Sequence, residues 1–395
     1  MLQYRVPGLW VEEIPVAEAP SFLSADRFRD RLDRWTPFHE PAYVSLWEQT
    51  LGPRNGGRIV VAWDGTGGLA AYAPLMRVRG RVGLVPVPTL RFIGNNIGGQ
   101  GDILHADIPS TPNERSAIRA ILGHVASDWL VGKWDLGFVS PSSPTWRAAS
   151  EILGDGIAAP AALESVPFVS VRLPTEWGSY IDSLTSNTRS SYRRGLRHLD
   201  SLGPLRVVVD TSPEAAPRRV EELIANHIRW LAGTEREGWF PDGAVRRFLV
   251  SSFELLARQR QFLSATLELD DEPIAWIIGA VHGTTSFEQI SSYDRTYSED
   301  SPGLVLGLEL MREMISRGFR RVELGPGSTL YKKRLGGEEK PYRRFIGYQR
   351  WTRGAAWAQS LLKGSPAPFP RSLPIRRTEP RATAHPERME SAHRP

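Results

Sequence analysis

The stretch from Ser286 to Leu335 constrains the fold of this 395-residue chain more than any other part of it. Ser286 to Asp294 alternates like a strand, and after a short loop Ser301-Pro302-Gly303 opens an amphipathic helix. Arg321 to Gly325 reads as a second strand, followed by a turn rich in Gly and Tyr. Strand, helix N-terminus, strand is an arrangement that builds an anion site from backbone alone. The first N–H groups of a helix lack internal partners, and the macrodipole adds about half a positive charge there. Ser301 suits the N-cap, Pro302 the first helical position, and Gly303 lets a ligand come close to the backbone. Leu304, Leu308, Met311 and Ile315 share one face, and Gly318 ends the helix. The segment therefore reads as a phosphate-holding small-molecule site or as an ordinary crossover helix. Glu299 and Asp300 beside the cap weigh toward the second.

Composition removes several chemistries. With no cysteine there are no disulfides, thiolate metal sites or cysteine nucleophiles. The histidines show no metal spacing, so no metal is expected, and no Ser-His-Asp arrangement can be argued. No window reaches eighteen consecutive apolar residues, and the N-terminal segment lacks the apolar run of an export signal. The expectation is a cytoplasmic protein without a membrane span. The net charge of +5 belongs to the segment 353–395, which holds eight Lys/Arg against three Asp/Glu. The rest of the chain carries 41 of each sign. That segment also holds seven of the 31 prolines and is expected to be a basic disordered tail. With a neutral body, nucleic acid is a weak candidate partner.

From Phe168 onward the pattern reads strand, helix from Trp177 to Leu202, strand, two helices, three alternating strands, helix, strand, short helix, and a strand from Arg343 to Trp351. The first half repeats this order more faintly. It has helices from Ala25 and Pro41, a hairpin turned at Gly65-Gly68, a strand to Ile93, a helix from Asn113, a strand at Trp134 and a helix from Thr145. Two units of one mixed α/β topology, 1–160 and 161–352, follow from this, with the boundary between Gly154 and Val166. No residue-level repeat is visible.

The element order resembles the GNAT acyltransferase fold, in tandem. The second half is similar to its BioF2-like or CelD-like acetyltransferase branch, related to the Fem-type aminoacyltransferases. Three stretches carry the resemblance: Leu184 to Arg189 with Tyr192-Arg193-Arg194; Tyr293-Asp294 with Ser301-Pro302-Gly303; and Glu323 to Gly327 running into Tyr331 to Gly336. Departures are Glu323, where the family usually has Asp, and Pro326, where it often has Arg. The long helical arm that Fem enzymes use to engage aminoacyl-tRNA has no counterpart.

The resemblance implies acetyl-CoA or another acyl-CoA as co-substrate, lying between two splayed strands with its pyrophosphate at Ser301, Pro302, Gly303 and Leu304. It implies transfer to an amine of a small-molecule acceptor such as an amino sugar, sugar nucleotide or amino acid, in polysaccharide or envelope biosynthesis. Transfer from charged tRNA and a non-catalytic scaffold in envelope assembly are the alternatives, and tRNA would be a partner only in the first. Tyr331 is the expected acid for the leaving thiolate, on family position. Glu288 and Glu323 compete as general base, and each also reads as a structural carboxylate. Arg189 and Arg193, on one helical stripe with Arg197, can clamp phosphates or form a solvated basic face. Lys332 reads as a phosphate partner or a solvated lysine. The Gly-rich loop Gly94 to Asp102 is no P-loop, since no Lys-Ser/Thr follows; it lines the acceptor site or is a turn.

Overall fold

The computed structural model describes residues 7–22, 32–52, 57–94, 107–111, 115–154, 164–232 and 243–362. The Gly-rich loop beyond Gly94, most of the 154–166 boundary and the chain beyond Leu362 lie outside the described residues. So does most of the helix expected from Ala25 to Trp35; its last residues are not helical, since Asp33 bridges to Ser110 and Arg34 has a positive φ.

The first half runs β1 (Leu9–Pro15), α1 (Ala19–Phe22), α2 (Pro41–Thr50), β2 (Gly57–Asp64), β3 (Leu69–Val82), β4 (Val85–Phe92), α3 (Arg115–Asp128), β5 (Lys133–Val139) and α4 (Pro144–Leu153). The second opens with β6 (Ser165–Arg172), α5 (Trp177–Ser183), α6 (Ser186–Leu202), β7 (Leu205–Asp210), α7 (Ala216–Leu231) and α8 (Gly243–Arg258). It continues with β8 (Phe262–Leu269), β9 (Glu272–His282), β10 (Thr285–Tyr293), α9 (Pro302–Ser316), β11 (Arg321–Pro326), α10 (Leu330–Arg334), β12 (Glu338–Tyr348) and α11 (Arg350–Leu362). All twelve strands form one mixed sheet in the order β1-β2-β3-β4-β5-β12-β6-β11-β10-β9-β8-β7.

Each half is an antiparallel run of four strands closed by one parallel pair, β4 with β5 and β10 with β11. Between these runs the chain crosses over. β6, which follows the first half, pairs with β11, while β12 returns to lie between β5 and β6. Local chemistry sets the hairpins. The Asp64 carboxylate accepts the N–H groups of Thr66 and Gly68 at 2.8 and 2.9 Å. Asp270 and Asp271, both at positive φ, form the two-residue turn between β8 and β9.

Among the described residues, three large apolar clusters fill the two faces. One, on the face where the halves meet, joins α2 to α7 and α8; Tyr43 packs edge-on to Phe248 at 5.5 Å. A second packs α5, α6 and α9 on the sheet of the second half, and a third packs α3 and α4 on that of the first. The mixed α/β class read from the sequence is the class observed.

Several local expectations differ. The helix Trp177–Leu202 is two helices, because Leu184 and Thr185 are extended and Thr185 Oγ1 caps the Thr188 N–H at 3.2 Å. Strand β1 is absent from the sequence reading; its two acids, Glu12 and Glu13, obscure the alternation. The strand expected through Trp351 stops at Tyr348, and the tail expected from Arg353 begins inside α11, which packs Ala356 on Val82 and Val87. A residue-level repeat also exists. Lys133-Trp134-Asp135-Leu136-Gly137 and Arg321-Val322-Glu323-Leu324-Gly325 occupy the same place in the two parallel pairs. Each bulges at its Leu and turns through a Gly near +73°.

Candidate active site at a forked strand pair

β10 and β11 pair over three rungs only: Thr285 with Arg321, Ser286 with Val322, Phe287 with Glu323. Beyond these rungs each strand distorts. Gln289 is an extra residue against β9, and Leu324 is one against β6. The register toward β9 is strict where it persists, because a Cβ on Gly279 would lie 2.2 Å from the Phe287 carbonyl oxygen. Two strands held together at one end and bulged at the other form a fork.

Glu288 sits at the crotch. Its carboxylate lines a cavity of about 940 Å³ on the face where the halves meet, and the Tyr331 hydroxyl donates to Oε2 at 3.5 Å. Tyr331 lies on the opposite side, against α9, where a Cβ on Gly307 would meet its hydroxyl at 2.9 Å. Burial pushes the Glu288 carboxyl up to about 7, against the pull of Lys332 and of hydrogen bonds from Ser291 and Tyr331. A carboxyl at that value exchanges a proton readily near neutrality. Burial, with the Glu288 charge second, raises the Tyr331 hydroxyl well above its ordinary range, so it keeps its proton.

Lys332, adjacent on α10, lines the cavity and donates to the Pro326 carbonyl at 2.6 Å. Burial lowers its ammonium despite Glu288 nearby. Glu323 lines the same cavity but is ion-paired to Arg321. Burial raises its carboxyl, and Arg321 and Lys340 oppose that shift. The two carboxylates therefore differ: Glu288 touches a hydroxyl, Glu323 a guanidinium.

The first half builds the opposite wall. Trp35, His39 and Asp107 line the cavity, with Phe168 and Tyr342 stacked at 4.0 Å across from them. Arg34, at positive φ, ion-pairs Asp107 at 3.2 Å, and the Asp33 N–H bonds the Ser110 carbonyl. Burial drives the His39 imidazole down to about 3, so it is neutral. These wall residues come from irregular segments, and no periodicity in the sequence marked them.

The α9 terminus lies apart from the cavity wall. Ser301 adopts the left-handed conformation, φ 53°, and its hydroxyl makes no cap, unlike the sequence expectation. Its carbonyl accepts the N–H groups of Leu304 and Val305. Pro302 has no N–H, so the Gly303 N–H is the first-turn donor left for a ligand. A Cβ at Gly303 would touch only the Tyr293 ring, at 3.5 Å, which leaves that backbone approachable. A 3-10 turn, Arg295–Asp300, leads in, capped by the Asp294 carboxylate on the Thr296 N–H at 2.9 Å.

Of the arginine stripe, Arg189 is committed to backbone: it donates to the Asp182 and Leu184 carbonyls at 3.0 and 2.5 Å, stitching α5 to α6. Arg193 is exposed on α6, two residues before Gly195, whose missing side chain lets α6 rest on the Asp300 carbonyl. The structure thus brings Glu288, Glu323, Tyr331 and Lys332 to the fork. It sets Ser301 to Leu304 at the helix end and ties Arg189 into the scaffold. Among the described residues, no group of carboxylates and histidines is placed to hold a metal.

Residues 186–333 match the model of the acetyltransferase (GNAT) domain. No curated protein matches the chain. Among solved structures, a conserved protein of unknown function from Bacteroides thetaiotaomicron is similar at 10% identity and a TM-score of 0.51, over 86% of this chain and 99% of that one. FemX gives 9% identity and a TM-score of 0.48 over 79% and 96% of the two chains. A tandem GNAT protein from the clavulanic acid biosynthesis pathway gives 14% and 0.45 over 85% and 98%. Residues 186–333 thus match an acetyltransferase (GNAT) domain, set within a mixed α/β fold.

Proposed function

We propose that this protein is an acyl-CoA-dependent N-acyltransferase whose second half, 161–352, performs the chemistry and whose first half, 1–160, shapes the acceptor pocket. The observation that carries the proposal is Glu288 at the fork between β10 and β11. It faces a large cavity on one side and meets the Tyr331 hydroxyl on the other. The thioester would lie in the fork, with its pyrophosphate toward the Gly303 N–H, and the acceptor amine would enter from the cavity.

In that arrangement the amine lone pair attacks the thioester carbonyl. The C–N bond forms and the C–S bond breaks. The proton lost by nitrogen goes to the Glu288 carboxylate, and the departing thiolate takes the Tyr331 proton. Transfer from the Glu288 carboxyl to the Tyr331 phenolate, across their contact, restores both groups. The bulge at Gln289 releases backbone of β10 from the ladder, which supplies a donor for the oxyanion. Lys332 keeps Glu288 partly ionised near neutrality.

The mixed lining of aromatic rings and ion pairs suits a polar amine acceptor of the size of an amino sugar, sugar nucleotide or amino acid, and envelope polysaccharide synthesis is the setting proposed for it. Arg189 and Arg193 are not assigned to the donor: the first is bonded to backbone and the second is exposed on α6. The test is calorimetric titration of acetyl-CoA and longer acyl-CoAs, followed by transfer assays on an amine panel. Because the chain has no cysteine, released CoA can be read by a thiol reagent without background. Micromolar binding weakened by Gly303→Val, with turnover removed by Glu288→Gln, is the expected result. Absence of binding across the acyl series rejects the reading.

A further inference from the structure

One corner of the first half, remote in sequence from the fork, combines exposed apolar residues with exposed arginines. The β3–β4 hairpin ends in Gly83-Leu84, and Leu84 is 89% exposed, with Val85 beside it at 46%. On the strand leading to this tip, Arg77, Arg79 and Arg81 alternate on one face and are all exposed. The Arg77 guanidinium donates to the Trp129 carbonyl at 3.0 Å, while among the described residues no carboxylate pairs with Arg79 or Arg81. The loop 129–132 joins this stem to α11. The Gly132 N–H bonds the Pro88 carbonyl, the Gly132 carbonyl accepts from Thr352, and a Cβ on Gly132 would meet the Trp351 ring at 2.8 Å. Leu130 and Trp351, 67% and 60% exposed, therefore stand at the same corner, with exposed Arg350 alongside.

We propose that this corner docks on an anionic lipid bilayer surface. A hairpin tip of Leu and Val, a tryptophan, and a flanking row of exposed arginines match the interfacial layer of such a membrane. The apolar groups enter the headgroup region and the guanidinium groups meet the phosphates. A nucleic acid would use the arginines but leave Leu84 and Val85 in water. The segment 363–395, which leaves from α11, is itself basic and cannot supply the counter-charge. Among the described residues no helix is long and apolar enough to cross a membrane, so the contact is peripheral.

The test is co-sedimentation of the full chain with vesicles of phosphatidylcholine alone and of phosphatidylcholine mixed with phosphatidylglycerol. Binding to the mixed vesicles only, weakened by added salt, is expected. Arg79→Gln with Arg81→Gln should lower the partition coefficient about 20- to 30-fold, roughly fivefold for each arginine. Leu84→Ser with Trp351→Ser should lower it comparably at fixed charge. Both pairs are solvent-facing, and unchanged melting curves would show that the fold is intact. Equal binding to neutral vesicles, no binding, or retention by single-stranded or duplex nucleic acid that is indifferent to Leu84→Ser would overturn the proposal.

Discussion

The two halves present the same parallel strand pair in opposite states. Register places Thr89, Leu90, Arg91 and Phe92 of β4 where β10 has Thr285, Ser286, Phe287 and Glu288. The counterpart of Glu288 is thus Phe92, fully buried among the residues that α3 covers. The counterpart of Glu323 is Asp135, bound by Arg344 at 2.8 Å and by Arg91 at 3.2 Å. Burial alone would raise the Asp135 carboxyl, but hydrogen bonds and charge from Arg344, with Arg91 and Lys133, outweigh it and hold the group low. Counting from the N-cap residues Ser143 and Thr329, Tyr331 corresponds to Thr145, whose hydroxyl is engaged with Asp107. One fork is plugged by a ring and an ion cluster; the other keeps a titratable acid, a hydroxyl and a cavity. The backbone geometry is shared, so the difference between scaffold and site lies in a few side chains.

The largest expected effect comes from making the open fork resemble the plugged one. Glu288→Gln should lower kcat by about 10²–10⁴-fold, the span of a lost general base, while acyl-CoA binding measured by calorimetry stays within twofold of wild type. Equal turnover would move the base to Glu323 or remove it altogether. Tyr331→Phe should cost less, roughly 10–10²-fold, because water can protonate a thiolate. The pH profile supplies a second handle. With Glu288 near 7, kcat/KM should rise as pH increases through about 7. Lys332→Met removes the charge that holds that carboxyl down and should move the limb to higher pH.

Next in size is an effect on stability, on the plugged side. Asp135→Asn leaves Arg344 and Arg91 without their shared partner, and breaking a buried pair is costly. Both arginines reach solvent, so the expected loss is about 2–3 kcal/mol, read from denaturant midpoints, with kcat unchanged. If the same variant abolished turnover while remaining folded, the first half would be more than a wall.

Much of this was legible in the sequence, and the limits have physical causes. The strand–helix–strand unit around Ser301 was readable because period-two and period-3.6 patterns alternate cleanly there, with Gly318 as a stop. Glu288 and Tyr331 could each be named, but their meeting could not, since it depends on the bulge at Gln289 tilting one strand away from the other. The cavity wall of Trp35, His39 and Asp107 was invisible, because irregular segments carry no period. The repeat of Lys133 to Gly137 in Arg321 to Gly325 is five residues long and identical only at its Leu-Gly, below what a sequence can establish without the register that aligns it. Arg189 was misleading in the ordinary way of long basic side chains: spacing sets the face it occupies, and the Leu184 break decides what it bonds.

The smallest expected effect is also the one that separates site from scaffold most sharply. In the unfolded chain the Glu288 carboxyl titrates near 4.5, and in the fold near 7. The native state therefore binds this proton more tightly, and the stability it lends is complete below about 4.5 and lost as pH rises through about 7. Glu288→Gln removes the cost of holding a carboxylate in the fork. The variant should be more stable than wild type by about 1–2 kcal/mol at pH near 8 and equal to it near pH 4, less than the full linkage value because the cavity admits solvent. Asp135→Asn has the opposite sign, since that carboxyl is held low: the variant should be less stable than wild type near pH 8, with the gap closing as acid protonates Asp135. Opposite signs at matched positions of two equivalent strand pairs would mark Glu288 as a group kept at a cost in stability and Asp135 as a brace. Matching signs would mean that the two forks do not differ in kind.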